Sequence, residues 1–214
     1  MTTAPRSSMH ATGFIRPTAP ARSAPASGIL VALLLLGSLG CGAAAPTVQP
    51  TTPFLEGDAA LFDRGISYIT NPSALGGGWE AEWAEALERR VQRAEAIALV
   101  TGHTFREDTN PHREVTYRIS LDVERKLYGE LPDDLELLSR PGDEGFESVQ
   151  GQEARILEQS FVVFVKWQLN DETGGVEPAF HLEPASETVV ARVRELIERM
   201  HGVTNGTRTT VHYN

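Results

Sequence analysis

The hydrophobic period of this chain changes from 3.6 to 2 near residue 95, and that switch limits the folds open to it. Before it, Trp79, Trp83, Leu87, Val91 and Ala94 recur at helical spacing, with Ala86 and Ala98 extending the stripe. Glu80, Glu82, Glu85 and Glu88 fill the first half of this segment and Arg89, Arg90 and Arg93 the second. That polarity complements the helix dipole, and Glu85 stands one turn from Arg89. The spacing predicts a helix over 79–94. Two tryptophans four residues apart can form a saccharide-stacking platform, but on the apolar stripe both are expected in the core.

After the switch, residues 96–101 read as a buried strand and 102–113 as a polar loop. Val115, Tyr117, Ile119, Leu121 and Val123 then alternate with Thr116, Arg118, Ser120, Asp122 and Glu124, the pattern of a strand with one solvated face. A third strand is expected over 135–139, and a fourth, rich in aromatic and β-branched residues, over 161–167. A fifth, short one falls near 179–182. Ser186 is the expected N-cap of a second helix over 186–201, with Val190, Val193, Leu196, Ile197 and Met200 as its stripe and Gly202 as its stop. The fold class is therefore α+β: a small antiparallel, barrel-like sheet of about five strands with a flanking helix at each end. One globular domain covers 54–203, with its sheet over 96–182, and 204–214 is a tail. Residues 54–75 carry scattered apolar anchors between Gly57, Gly65 and Pro72, which predicts a short helix or irregular packing.

Residues 1–40 hold Arg6, Arg16 and Arg22 and no acidic residue. They include an eleven-residue apolar run over 29–39 and end at Gly40, before Cys41. This is the layout of a signal peptide. At ~1.5 Å per residue such a run spans about 16 Å, short of the ~30 Å bilayer core. Leu39-Gly40-Cys41 resembles the bacterial lipobox, in which small residues precede a cysteine that receives a diacylglyceryl thioether. Ser38 stands where that pattern usually has leucine. An ordinary signal peptidase cutting after the alanines 43–45, giving a secreted protein, remains the alternative, and Met9 is an alternative start to Met1. The resemblance implies a signal peptide over 1–40, lipidation at Cys41 and attachment to the bilayer through the acylated cysteine. Gly42 is not the aspartate that commonly retains lipoproteins at the inner membrane, which favours the periplasmic side of the outer membrane. Residues 41–53, uncharged and with three prolines, read as a tether.

Without its first forty residues the chain has 19 − 3 = 16 basic residues against 29 acidic ones, a formal charge of −13. Such a surface repels phosphates and excludes nucleic acid as the expected partner. The lone cysteine excludes an intramolecular disulfide and Cys-rich metal sites.

From residue 94 to about 183, the run of a buried strand, an alternating strand ended by Leu127-Tyr128-Gly129 and Leu131-Pro132, a short strand and Phe161-Val162-Val163-Phe164-Val165 is similar to envelope proteins with a small OB-type barrel. It resembles that of netrin-like modules and metalloproteinase inhibitors. The resemblance implies a fold only, because the inhibitors act through an N-terminal Cys-x-Cys pair that is missing here.

No nucleophile elbow, phosphate loop or dinucleotide fingerprint occurs, and the three glycines 76–78 follow no strand. His103, His112, His181, His201 and His212 make no His-x-x-x-His pair. His103 and His112 flank the predicted loop with Glu107, Asp108 and Asn110 between them, a loop expected to be solvated. Asp133-Asp134 and Asp143-Glu144 are neighbours on turns, not carboxylates facing across a cleft. No catalytic residue, metal ligand or cofactor site is expected. The expectation is an envelope-anchored binding or structural module that contacts an envelope protein through loops 102–113 and 140–158. The alternative is a periplasmic hydrolase or hydrolase inhibitor. A pocket setting His103 or His181 against a carboxylate would favour that alternative. Labelled palmitate is expected to enter the wild-type protein and not Cys41→Ala. Equal labelling of the two removes the lipoprotein reading.

Overall fold

The computed structural model describes residues 48–170, 173–204 and 207–208. Cys41 and the signal segment lie outside them. The elements are α1 (Glu56–Ala59), β1 (Gly65–Ile66), a 3-10 turn (Pro72–Ala74), α2 (Gly78–Arg93), β2 (Ala96–Thr109), β3 (Val115–Tyr128), β4 (Asp134–Ser139), α3 (Phe146–Val149), α4 (Glu153–Glu158), β5 (Ser160–Leu169), β6 (Val176–Pro184) and α5 (Glu187–His201). A two-residue pair, β7 (Val203–Thr204) and β8 (Thr207–Arg208), follows. The protein is α+β, with a six-stranded sheet in the order β1-β6-β5-β2-β3-β4, antiparallel except for β1 beside β6.

The central strands β2 and β5 are apolar on both faces, so both faces must be covered. Ile97 and Leu99 of β2 and Val162 and Phe164 of β5 pack against Leu87 and Val91 of α2 and Val193 and Leu196 of α5. Ser186 caps α5 as its sequence predicts, its hydroxyl accepting from the Val189 N–H at 3.3 Å. Ala96, Ala98, Val100, Phe161, Val163 and Val165 point the other way, into a core shared with Ile119 and Leu121 of β3 and sealed by Val149 of α3 and Ile156 of α4.

This second core is made by curling the sheet. The β2–β3 ladder shifts register three times, between Ile97 and Ala98, Leu99 and Val100, and Gly102 and Thr104. Each irregularity bends and twists the strands. The sheet stays open, and the expected barrel closure is not seen. Side chains span the gap instead. Arg64 (6 % exposed) pairs with Glu177 of β6 and Asp143, and donates to the Leu138 carbonyl of β4 at 3.4 Å. Arg140, just past β4, reaches the same Glu177 carboxylate at 2.9 Å. Burial works against ionisation of Glu177, but the hydrogen bonds from Arg140, Asn170 and Arg64 outweigh it and hold its pKa far below the usual carboxylate range.

Several sequence expectations are corrected here. Residues 102–109, read as loop, continue β2, and the turn occupies only 110–114. Thr104 Oγ1 donates to Ser120 Oγ (2.9 Å), Phe105 stacks on Tyr117, and Arg118 bonds Asp108, so cross-strand pairs carry a stretch that lacks apolar alternation. Loop 140–158 contains α3 and α4. The sheet has six strands rather than about five, because β1 joins its edge. The end of the stretch read as tether lies on the domain. Glu95 accepts from the backbone N–H and hydroxyl of both Thr51 and Thr52, and its other oxygen accepts from Trp167 N–H.

Two glycines mark where the curl leaves no room for a side chain. A Cβ at Gly102 would lie 2.2 Å from the Ile156 carbonyl oxygen, and one at Gly129, where φ is +69°, 2.0 Å from that of Glu95. Alanine at either position is expected to destabilise by about 2–4 kcal/mol in urea titrations, through clash and, at Gly129, backbone strain. Gly57→Ala, with nothing within 4 Å, is expected to leave the midpoint unchanged.

Candidate functional site

Polar residues on the helix-covered face of β6 have to be paired to lie there. His181 and Glu183 occupy that face, and their side chains are 6 % and 1 % exposed. The segment between α1 and β1 brings Asp63, and the inner side of α2 brings Arg90. His181 Nδ1 is 2.8 Å from Asp63 Oδ1, with an ionised acceptor, so the ring N–H donates. Arg90 donates to Glu183 Oε1 and, through Nε, to the Leu61 carbonyl, both at 3.0 Å. His181 Nε2 lies 3.4 Å from Glu183 Oε1 as an ion contact, without the geometry of a hydrogen bond. Two cations and two anions thus balance inside the fold.

Burial opposes the charge on each of these groups, and the neighbours decide the outcome. For His181, burial and Arg90 press the pKa down, but Asp63 and Glu183 overcome them and raise it. For Asp63 and Glu183, burial presses upward, and the contacts with His181 together with the charge of Arg90 bring both below their ordinary values. For Arg90, desolvation outweighs the attraction of Glu183 and Asp63. Asp63 and Glu183 therefore favour the imidazolium form of His181.

Three of the four, Arg90, His181 and Glu183, floor an open pocket of about 460 Å³, within the ~300–1,000 Å³ usual for small-molecule sites. His181, Glu183 and Arg90 line it, together with Ile69, Leu75 and Trp83. Tyr68 and Trp79, 54 % and 69 % exposed, form its rim. The two tryptophans are thus parted. Trp83 (9 % exposed) is core as expected, and Trp79 is not, because the inner face of the first turn of α2 has only the 3-10 turn and the pocket beside it.

Among the described residues, five buried side-chain polar atoms have no hydrogen-bond partner. His181 Nε2, Glu183 Oε2 and Trp83 Nε1 belong to residues lining this pocket. The Ser67 hydroxyl lies near enough to Glu183 to help keep it ionised without a well-formed bond to Oε2. Arg155 Nη1 is a fourth; its guanidinium donates to the Ser67 carbonyl at 2.7 Å and lies 4.5 Å from the Tyr68 ring centre.

Of the residues singled out in the sequence, His181 enters this site. His103 lies on β2 with Asp122 at 3.4 Å, both exposed, and His112 in the 110–114 turn, held by Asn110. Asp143 belongs to the Arg64 cluster that spans the open sheet. His212 is outside the described residues. Among those described, no group of three His, Cys, Asp or Glu side chains is placed to hold a metal ion, and no helix is long and apolar enough to cross a membrane. Asp63, Arg90 and Glu183 were not foreseen. A charged residue on the apolar stripe of a predicted helix, as Arg90 is one position before Val91, was the available signal.

The directions of these shifts fix the pH dependence of stability. The raised pKa of His181 gives a contribution that is complete below its unfolded value near 6.5 and is lost as pH climbs through the folded one. The lowered pKa values of Asp63 and Glu183 give contributions complete above about 4.5 and lost as pH falls through theirs. Urea midpoints are expected to decline on the alkaline side of pH 6.5, and His181→Gln, less stable throughout, to lack that decline. An alkaline slope equal in both proteins would show that His181 is not charged in the fold. Comparison with protein-family models, curated proteins and solved structures finds no match for this chain.

Proposed function

We propose that this chain is a lipid-anchored binding module of the bacterial envelope, with the pocket under Trp79 as its binding site. The observation that carries the binding site is an indole 69 % exposed beside a pocket whose floor holds buried, unsatisfied polar atoms. Apolar walls with a few convergent polar groups are the usual make-up of small-molecule sites. Attachment through a diacylglyceryl thioether at Cys41, on the periplasmic side of the outer membrane, rests on the lipobox-like segment. In this reading the curled open sheet is an unclosed variant of an OB-type barrel.

A second reading, hydrolysis, has one observation in its favour: the pocket sets His181 against two carboxylates. Three features weigh against it. A general base at neutral pH must be unprotonated, and the neighbours of this histidine favour its charged form. Glu183, held ionised, has no proton to give. Asp63 lines a different, smaller pocket, with Arg64 and Asp143, so the carboxylate bonded to His181 Nδ1 does not share the Trp79 pocket with Glu183.

A screen of small neutral, acidic, basic and aliphatic fragments tests the binding reading. At least one class is expected to move the indole N–H resonance of Trp79 in a saturable way, and Trp79→Ala to weaken its binding at least about tenfold. Fragments that leave the Trp79 signal in place would remove the pocket as a site.

A further inference from the structure

We infer that the Trp79 pocket takes a neutral saccharide: a polyhydroxylated ring stacked on the exposed indole, with its hydroxyls bonded to the His181–Glu183 floor. The inference rests on the reading of this pocket as a binding site and adds the chemical class of its ligand.

The floor decides the charge of the ligand. Arg90 is paired with Glu183 and His181 with Asp63, so the floor presents no unpaired charged side chain to an ion. A carboxylate or phosphate entering the pocket meets the ionised Glu183, with an oxygen already unpartnered. An ammonium group finds the exposed Glu82 among the lining residues but meets Arg90 and His181 on the floor, with Arg155 behind Ser67 and Tyr68. An aliphatic ligand fits the walls of Ile69 and Leu75 but leaves the floor unpaired, which lowers affinity.

The floor also decides the kind of polar group. Glu183 Oε2 needs a donor, while Trp83 Nε1 and, in the charged ring, His181 Nε2 each need an acceptor. A hydroxyl supplies both at once, and adjacent hydroxyls on one ring supply several such pairs. His181 and Glu183 are more than nine-tenths buried, so these are fixed hydrogen-bonding positions and not mobile surface groups. The rim completes the match. Trp79 and Tyr68 offer amphipathic rings against which the C–H face of a sugar packs, while the rest of the sugar reaches polar partners.

The test uses the protein in a zwitterionic detergent with no sugar headgroup. The probes are the N-acetylglucosamine trimer, α- and β-1,4-linked glucose trimers, mannotriose and lactose. At least one is expected to shift the Trp79 indole resonance with a Kd on the order of 1 mM or tighter. By calorimetry, Trp79→Ala is expected to remove measurable binding and Tyr68→Ala to weaken it about tenfold. Both residues are exposed, so unchanged melting temperatures will show that the variants fold. Glu183→Gln, if it folds, is expected to weaken binding at least about fivefold.

Silence from every sugar up to on the order of 20 mM overturns the inference. If charged or aliphatic fragments still move Trp79 in that case, the pocket survives as a binding site and the saccharide class alone fails. If nothing moves it, both readings fail together. Sugar binding undiminished by Trp79→Ala also overturns the inference, since it places the ligand elsewhere.

Discussion

Two strands that are apolar on both faces set the terms for everything else in this domain. β2 and β5 pair from Ala96–Val165 to Thr101–Ser160, and no residue in the middle of that ladder can meet water on either side. One face is covered by helices, because α2 and α5 carry wide apolar stripes. Among the described residues no long helix remains for the other. The chain covers it by bending β2 and β3 over it and plugging the open end with α3 and α4, two helices of four and six residues. The register shifts of the β2–β3 ladder, two with the extra residue on β3 and one on β2, and the bare backbone at Gly102 are what allow that bend. Burying a large apolar side chain is worth about 1.5–3 kcal/mol, so filling both cores outweighs the irregular hydrogen bonding along the β2–β3 ladder.

Edges left by an unclosed sheet need another solution, and here it is ionic. Glu177 gathers Arg64 and Arg140, while the Asp63–His181–Glu183–Arg90 quartet ties the α1–β1 segment to β6 and α2. Buried ion pairs stabilise little beyond what apolar residues of equal size would, yet removing one partner costs about 3–5 kcal/mol. Such networks therefore act more on register than on net stability. They specify which residue of β6 stands opposite α2, and so fix the floor of the pocket.

Much of this was legible in the sequence. Helical stripes located α2 and α5, alternation located β3, and the apolar run located β5, because in each case one short window records which face is buried. The Ser186 cap is equally local. What escaped depends on partners far along the chain. Residues 102–109 extend β2 only because β3 lies beside them. β1 is two residues long and exists because β6 offers an edge. Trp79 and Trp83 look equivalent on a helical wheel, and only the packing of the 3-10 turn and β6 separates them. The site was almost hidden: Asp63, Arg90, His181 and Glu183 come from three separate regions, and of the four only His181 was singled out as a candidate.

The contact at Glu95 alters what a lipid anchor would do. An uncharged stretch over 41–53 reads as a long spacer, but the four bonds from Thr51 and Thr52 to one carboxylate oxygen, and Val48 packed on the core, hold its last third to the domain. Burial pushes the Glu95 pKa up, and those bonds pull it below the ordinary value, so the clasp stays charged at neutral pH. With a lipid on Cys41, seven residues reach from anchor to Val48, at most about 25 Å of extended chain. A domain of formal charge −13 held that close is repelled by anionic headgroups over a screening length of about 8 Å. In the proposed lipid-anchored arrangement tether and charge would act in opposition: one would limit how far the pocket can leave the bilayer, and the other would keep the domain from lying on it.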